Sequence, residues 1–389
     1  MRALQENGET MAAPTVNTPL ADMPARSTGI ARARQTALKE HATVPAGWLS
    51  QGVERSWQRC LQWGLEPQRS VVFDRVSHQQ TLRTHEANQR LVQTARPLLD
   101  KLGRAIVNTR YFAILTNRDG VVVDTSGAID HSDPRADLIT RIGTDLSERA
   151  VGTTAIGMAL TEQQPVWLHQ GEHFFANTSV YSCAGAPLLG PDGQCVGMLD
   201  VTGIDAMERP ELKHLVTQTA TQIENALVLA QSHRLLLRLN WPGQRLGSEA
   251  DGMVCLDGDG WITAANPVAR QMVPQLAPRA PGPASAIHAS EVFGIAFELL
   301  FDAARHGQET VLEIPLWTGL RLQALPVAQA HEEQPVQGDA RAQRSLKDME
   351  TALIRKAVEQ ARGNVAQAAQ ALGISRATVY RKLGQRGGA

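Results

Sequence analysis

Two groups of residues in this chain have the types and spacing to do chemistry. The first lies in "PVWLHQGEHFFANTSVYSCAGAP", where His169 and His173 stand four apart and Cys183 follows. Metal ligation is one chemistry for such a set, but it asks for a helix and a further ligand close by. This stretch reads as strand and loop, so no metal is expected. A Cys–His nucleophile pair is another, but it needs an orienting third group, and none is marked. No catalytic residue is expected here. Two readings remain open. Trp167, His173, Phe174, Tyr181 and Cys183 either line a small-molecule pocket or simply pack a core.

The second group ends the chain, "GNVAQAAQALGISRATVYRKLGQRGGA". Asn364 is a good helix N-cap, with Gln367 three residues on in a capping-box-like position. Ala368 and Ala369 are small enough for a neighbouring helix to approach closely. Gly373 supplies a turn where a left-handed backbone favours glycine. Ser375 caps the next helix, whose Val379 and Leu383 face inward. Two short helices joined by such a turn form a helix-turn-helix, and its second helix enters the DNA major groove. That register puts Arg376, Ala377, Thr378, Tyr380 and Arg381 near base edges. Arg376 paired bidentately with guanine is worth roughly 1–3 kcal/mol of discrimination. The helix starts at Asn364 and Ser375, with Arg381 and Lys382, hold phosphates. Glycines also punctuate "GPDGQCVG", but no strand–Gly-rich loop–helix order surrounds it, and no cofactor is expected.

The elements that must position these groups are legible as periodicity. Residues 1–28 lack it and read as disordered. A helical segment over 29–84 includes "VERSWQRCLQWGLEP", with Cys60 a buried small hydrophobe beside Trp57. In "EANQRLVQTARPLLDKLGRAIVN", Leu91, Ala95, Leu98, Leu102 and Ile106 recur at helical spacing, with Pro97 as a kink or start. The period then changes to that of strands. Hairpins are expected at Asp119-Gly120, Asp192-Gly193 and Asp259-Gly260, with two further strands around Thr318-Gly319. Helices are expected over 137–142, 148–160 and from Pro210 to Leu239. The fold class is α+β multidomain: antiparallel hairpins covered by helices on one side over 85–240, a second unit over 245–328, a linker over 329–344 and an all-α segment over 345–386.

Composition limits what the assembly does. Of 389 residues, 43 % are hydrophobic and 20 % charged, ordinary for a globular chain. No apolar run reaches bilayer length, and the N-terminus lacks a secretory h-region. Four scattered cysteines fit reduced thiols. The expected location is the cytoplasm, without membrane contact. Net charge is −1. From Arg341 onward the balance is ten basic against three acidic residues, +7, which leaves −8 on the rest. A basic tail on an acidic body is the asymmetry of a nucleic-acid binder.

The tail resembles the Fis-type helix-turn-helix at the C-terminus of bacterial enhancer-binding regulators, over about 40 residues. That resemblance implies dimerisation through the preceding helix, near 346–361, and binding of near-palindromic DNA. The pieces "SWQRCLQWGLEP", "ILTNRDGVVVDTSG", "GTTAIGMAL", "PVWLHQGEHFF" and "CAGAPLLGPDGQCVGMLDVTG" resemble the sensor half of acetoin-catabolism-type regulators. The resemblance implies a GAF domain, an α/β sandwich that senses small molecules. The family commonly has Trp before "SE" where Leu146 stands, which implies an altered sensor at that point. "GMVCLDGDGWITAANPVARQM" resembles the PAS-like unit that follows in such proteins. Full-length members carry a central ATPase with a GxxxxGK[ST] loop and a GAFTGA motif. This sequence has no Gly-Lys pair and no GAFTGA.

The function these readings imply is a one-component transcription regulator. A small-molecule effector acts through the GAF domain, and a homodimer binds promoter DNA without ATP-driven sigma-factor remodelling. RNA polymerase or a full-length activator would be its further partner. The alternative is a GAF-fold enzyme or signalling adaptor whose C-terminal helices only dimerise. An enzyme of that kind would need reactive cysteines converging on one pocket.

Overall fold

The computed structural model describes residues 23–40, 42–73, 76–277, 286–305 and 310–328, and within the tail Ile354, Ala357, Val358, Ala361, Val365, Gln367 and Ala369. The chain divides into two compact units, one through Gln329 and one from Ala330.

The first unit opens with α1 (Met23–Arg34), which runs on into a π-turn at Gln35–Lys39. The helix begins inside the stretch expected to be disordered, because Arg26 is drawn into ion pairs with Glu172 and Glu208. Helices α2 (Gln51–Gln62), α3 (His78–Ala87) and α4 (Gln89–Ala105) follow. Ser50 and Ser77 cap α2 and α3 by accepting from the Val53 and Gln80 amides. In α4 the buried stripe is Leu91, Ala95, Leu99 and Leu102. Leu99 rather than Leu98 points most fully inward, and the helix continues through Pro97.

Strands β1 (Tyr111–Asn117) and β2 (Val122–Gly127) form the first expected hairpin, with Gly120 at φ +82°. Helix α5 (Pro134–Thr140) follows. The single helix expected over 148–160 is two helices, α6 (Glu148–Val151) and α7 (Ala155–Glu162). Gly152, at φ +67°, breaks them apart, and Thr154 caps α7 by accepting from the Gly157 amide at 3.1 Å. Strands β3 (Val166–His169), β4 (Tyr181–Leu189) and β5 (Cys195–Ile204) complete an antiparallel sheet of order β2-β1-β5-β4-β3. The sheet is covered on both faces, not on one side as the sequence suggested. Helices α2, α5, α6 and α7 bury one face around Trp57, Ile114, Leu168 and Met198. Helices α4 and α8 (Leu212–Leu229) bury the other around Leu115, Leu188, Leu199 and Ile223.

The helix expected from Pro210 to Leu239 ends at Leu229. Leu235–Asn240 is strand β6, at the centre of a second antiparallel sheet. A leucine run suits a buried strand as well as a helix, and periodicity alone does not separate them. Here alternation decides: Leu235, Leu237 and Leu239 join one core and Leu236 another. Strands β7 (Gly252–Leu256) and β8 (Ile262–Ala265), helices α9 (Pro267–Met272), α10 (Ala289–Val292) and α11 (Phe297–Arg305), and strands β9 (Leu312–Pro315) and β10 (Arg321–Ala328) complete this part. The sheet order is β8-β7-β6-β10-β9. Val228 of α8 packs with Leu236, Met253 and Cys255 on the back of this sheet. Asn266 donates to Asn225 at 2.8 Å, and the Pro191 carbonyl accepts from Ala265 N and Arg270 Nη2 at 3.0 and 2.6 Å. These contacts tie the two sheets together.

In the second unit, Ile354 and Ala369 are buried together, with Val358 and Val365 packed against them. A buried Ala369 agrees with its reading as a close-approach position. Asn364, Ser375, Arg376, Ala377, Thr378, Tyr380, Arg381 and Lys382 lie outside the described residues.

Candidate ligand cavity

Between the first sheet and helices α5–α7 lies a cavity of about 30 Å³ with an almost wholly apolar wall. His173, Tyr181 and Cys183 line it. Trp167 does not. Residues directly opposed in an antiparallel pair share a face, and the partner of Cys183 is Leu168, while Trp167 opposes Ala184. Trp167 therefore packs on the α4/α8 side, stacked on His169 at 6.3 Å. Phe174 is fully buried but sits beside the cavity, edge-on to Phe175 at 5.1 Å. His169 bonds Ser182 at 2.8 Å on the Trp167 side, so His169, His173 and Cys183 do not converge on a common point.

The polar groups at the wall form a short chain. Neutral His173 places Nδ1 3.0 Å from the Gln170 carbonyl. A carbonyl only accepts, so Nδ1 carries the proton and Nε2 presents a lone pair. Burial lowers the His173 pKa to about 4, which keeps the ring neutral. Cys183 Sγ lies 3.6 Å from that Nε2 and 3.3 Å from Thr202 Oγ1. Burial pushes the Cys183 thiol well up, helped by the negative charge of Asp200. The pair is thus thiol and imidazole, not the thiolate and imidazolium of a nucleophilic site. Behind Thr202, which donates to its carboxylate, lies Asp200; burial raises that carboxyl to about 7. Asp200 Oδ1 is buried and has no hydrogen-bond partner among the described residues.

Sequence reasoning missed Asp200 and Thr202. The signal was present in "GMLDVTGI": Met198, Asp200, Thr202 and Ile204 alternate onto one face, so a charged residue falls at a core position. Leu146, noted as a departure from the family pattern, is a wall residue of this cavity.

Two outer layers brace the wall. The loop carrying His173 is clamped by Arg34, which donates to the carbonyls of Gly171, His173 and Phe174. Trp57 Nε1 donates to the Glu172 carbonyl at 2.9 Å, and Gln170 holds a positive φ of 44°. Helix α7, whose first residues line the cavity, is held by α2. Arg59 bridges Glu148 at 2.9 Å and Glu162 at 2.8 Å, and Ser56 bonds Thr153 at 2.7 Å. Cys60 packs under this bridge as the buried small hydrophobe expected.

Residues 26–225, just over half of the chain, match the family described as MimR, N-terminal domain. Residues 345–385 match the family described as bacterial regulatory protein, Fis family. The acetoin catabolism regulatory protein of Cupriavidus necator is 31 % identical over 264 residues, which cover 64 % of this chain and 37 % of that protein. The acetoin dehydrogenase operon transcriptional activator AcoR of Bacillus subtilis is 27 % identical over 229 residues, covering 58 % and 37 %. The chain thus spans little more than a third of the length of these curated relatives. Among solved structures, the Escherichia coli DhaR(N)–DhaL complex matches with a TM-score of 0.43 and 12 % identity, covering 72 % of this chain and 100 % of that one. No helix among the described residues is long and apolar enough to cross a membrane. With its N-terminal match spanning more than half its length, the chain belongs to the MimR N-terminal domain family, and its residues 345–385 match the Fis family of bacterial regulatory proteins.

Proposed function

We propose that the chain is a one-component regulator in which a GAF domain over 85–240 senses a small molecule and the 345–386 segment binds promoter DNA as a homodimer. A PAS-like unit over 245–328 relays between them. The observation that carries this reading is the apolar cavity with neutral polar groups at its wall, in a chain whose tail matches the Fis family. About 30 Å³ has room for roughly two waters. Any larger occupant must displace the wall, either the start of α7 or the His173 loop. Both are braced by the N-terminal helices, so occupancy and N-terminal geometry are linked. A ligand that favours one arrangement shifts the population towards it.

DNA contacts are assigned to Arg376, Ala377, Thr378, Tyr380 and Arg381 at bases, and to Asn364, Ser375, Arg381 and Lys382 at phosphates. The absence of a Gly-Lys phosphate loop in the sequence supports control without ATP-driven sigma-factor remodelling, through RNA polymerase or a full-length activator, in the cytoplasm. A gel-shift series on the DNA upstream of the chain's own gene tests the reading. Wild type is expected to select that DNA over unrelated sequence, and Arg376→Ala is expected to lose the selection. Equal, sequence-indifferent binding by both would overturn it.

A further inference from the structure

The wall of the cavity under α5–α7 is defined by what it withholds. Phe73, Ile114, Ile139, Leu146, Val151 and Ile156 supply much of the lining. No charged side chain lines the cavity, and none of the polar atoms of its lining residues presents surface to it. The polar groups of those residues are engaged elsewhere. Tyr181 donates to the Arg135 carbonyl at 3.1 Å, and Thr178 to the Phe175 carbonyl at 3.1 Å. Thr202 donates to Asp200, and Thr154 accepts from the Gly157 amide at the start of α7. His173 faces the Gln170 carbonyl through Nδ1 and Cys183 through Nε2. What these residues turn to the cavity is therefore their apolar parts. Asp200 Oδ1, unpartnered among the described residues, belongs to a residue that does not line the cavity.

Such a space holds water poorly, because a buried water asks for about two to four polar partners. At about 30 Å³, with room for roughly two waters, it suits an occupant of about two or three carbon atoms.

We propose that the cavity takes a small, uncharged, apolar molecule, a short hydrocarbon or a compound of like surface, in preference to an alcohol or carbonyl compound of the same size. This rests on the cavity reading above and deepens it by naming the ligand class. A hydrocarbon leaves no hydrogen bond behind in water, and removal of its apolar surface drives it in. It also restores the dispersion contacts that the lining lacks across the void. A hydroxyl or carbonyl gives up its water partners and meets nothing in return, and a charge loses still more. Selection thus works by penalty on polar groups. Among hydrocarbons, shape alone discriminates.

The test is NMR of the isoleucine methyls of the full chain, titrated with cyclopropane and with ethanol, which have the same number of non-hydrogen atoms. Ile114, Ile139 and Ile156 line the cavity, so their methyl shifts report its occupancy. Wild type is expected to bind cyclopropane roughly ten-fold or more tightly than ethanol, the penalty on one uncompensated polar group. The shifts are expected to vanish in Leu146→Trp and in the milder Leu146→Phe, which fill the cavity, with melting temperatures recorded to confirm folding. Equal binding of the two probes, or tighter binding of ethanol, would refute the apolar class and leave the cavity reading standing. No shift of these methyls with either probe, or cyclopropane shifts that persist in both filled variants, would sink the cavity reading itself.

Discussion

Asp200 is fully buried with one carboxylate oxygen unpartnered, and that carries a consequence for stability. Burial raises its carboxyl from 3.8 to about 7, offset in part by the Thr202 hydrogen bond. In the unfolded chain the proton leaves near the ordinary value. Between those two pH values the folded state binds more protons, so stability falls as pH rises through this window and levels off above about 7. At roughly 1.4 kcal/mol per pH unit the full effect is about 4 kcal/mol. Asp200→Asn keeps the shape and cannot ionise. The variant is expected to match wild type at pH 4 and to exceed its stability by up to about 4 kcal/mol at pH 8.5. Glu224, also raised to about 7 by burial, slopes in the same direction in both proteins and cancels in the difference. Urea unfolding of both proteins, followed by intrinsic fluorescence from pH 4 to 8.5, measures it. Parallel curves, or a variant less stable than wild type at pH 8.5, would refute the reasoning.

Three further expectations follow from the same packing. Arg34→Met removes the donor for three loop carbonyls and is expected to cost about 2–3 kcal/mol, against a much smaller loss for Arg55→Met in the exposed pair with Glu162; equal losses in urea midpoints would count against the clamp. Gly152→Ala places a Cβ 2.9 Å from Phe175 Cε2 at φ +67°, and a loss of about 1–3 kcal/mol is expected, with an unchanged melting temperature as the contrary result. Cys60, Cys183 and Cys255 are buried while Cys195 is half-buried, so a thiol reagent on the native chain is expected to modify Cys195 first. Early modification of Cys183, read by peptide mass mapping, would contradict the neutral thiol at the cavity.

The hairpins were legible because each turn needs a positive φ and places Gly there: Gly120, Gly193, Gly260 and Gly319 lie between +81° and +87°. What the sequence did not reveal traces to identifiable ambiguities. The leucines of β6 fit a continued α8 equally well until their two-sided burial in a second sheet is seen. The α6–α7 break rests on Gly152, which helical periodicity tolerates. Trp167 was grouped with Cys183 by proximity in sequence, but the β3–β4 register sends them to opposite faces. The β4–β5 register sets Cys183 opposite Thr202, while the contacts of Cys183 with His173 and of Thr202 with the buried Asp200 behind it emerge only in the folded chain.

The claim that cavity occupancy controls DNA binding is tested most directly by fluorescence anisotropy. The full chain is titrated onto its own upstream DNA, with and without saturating cyclopropane. The account expects a several-fold change in DNA affinity for wild type and none for Leu146→Trp. Identical isotherms for wild type, with the isoleucine methyls showing the hydrocarbon bound, would contradict it.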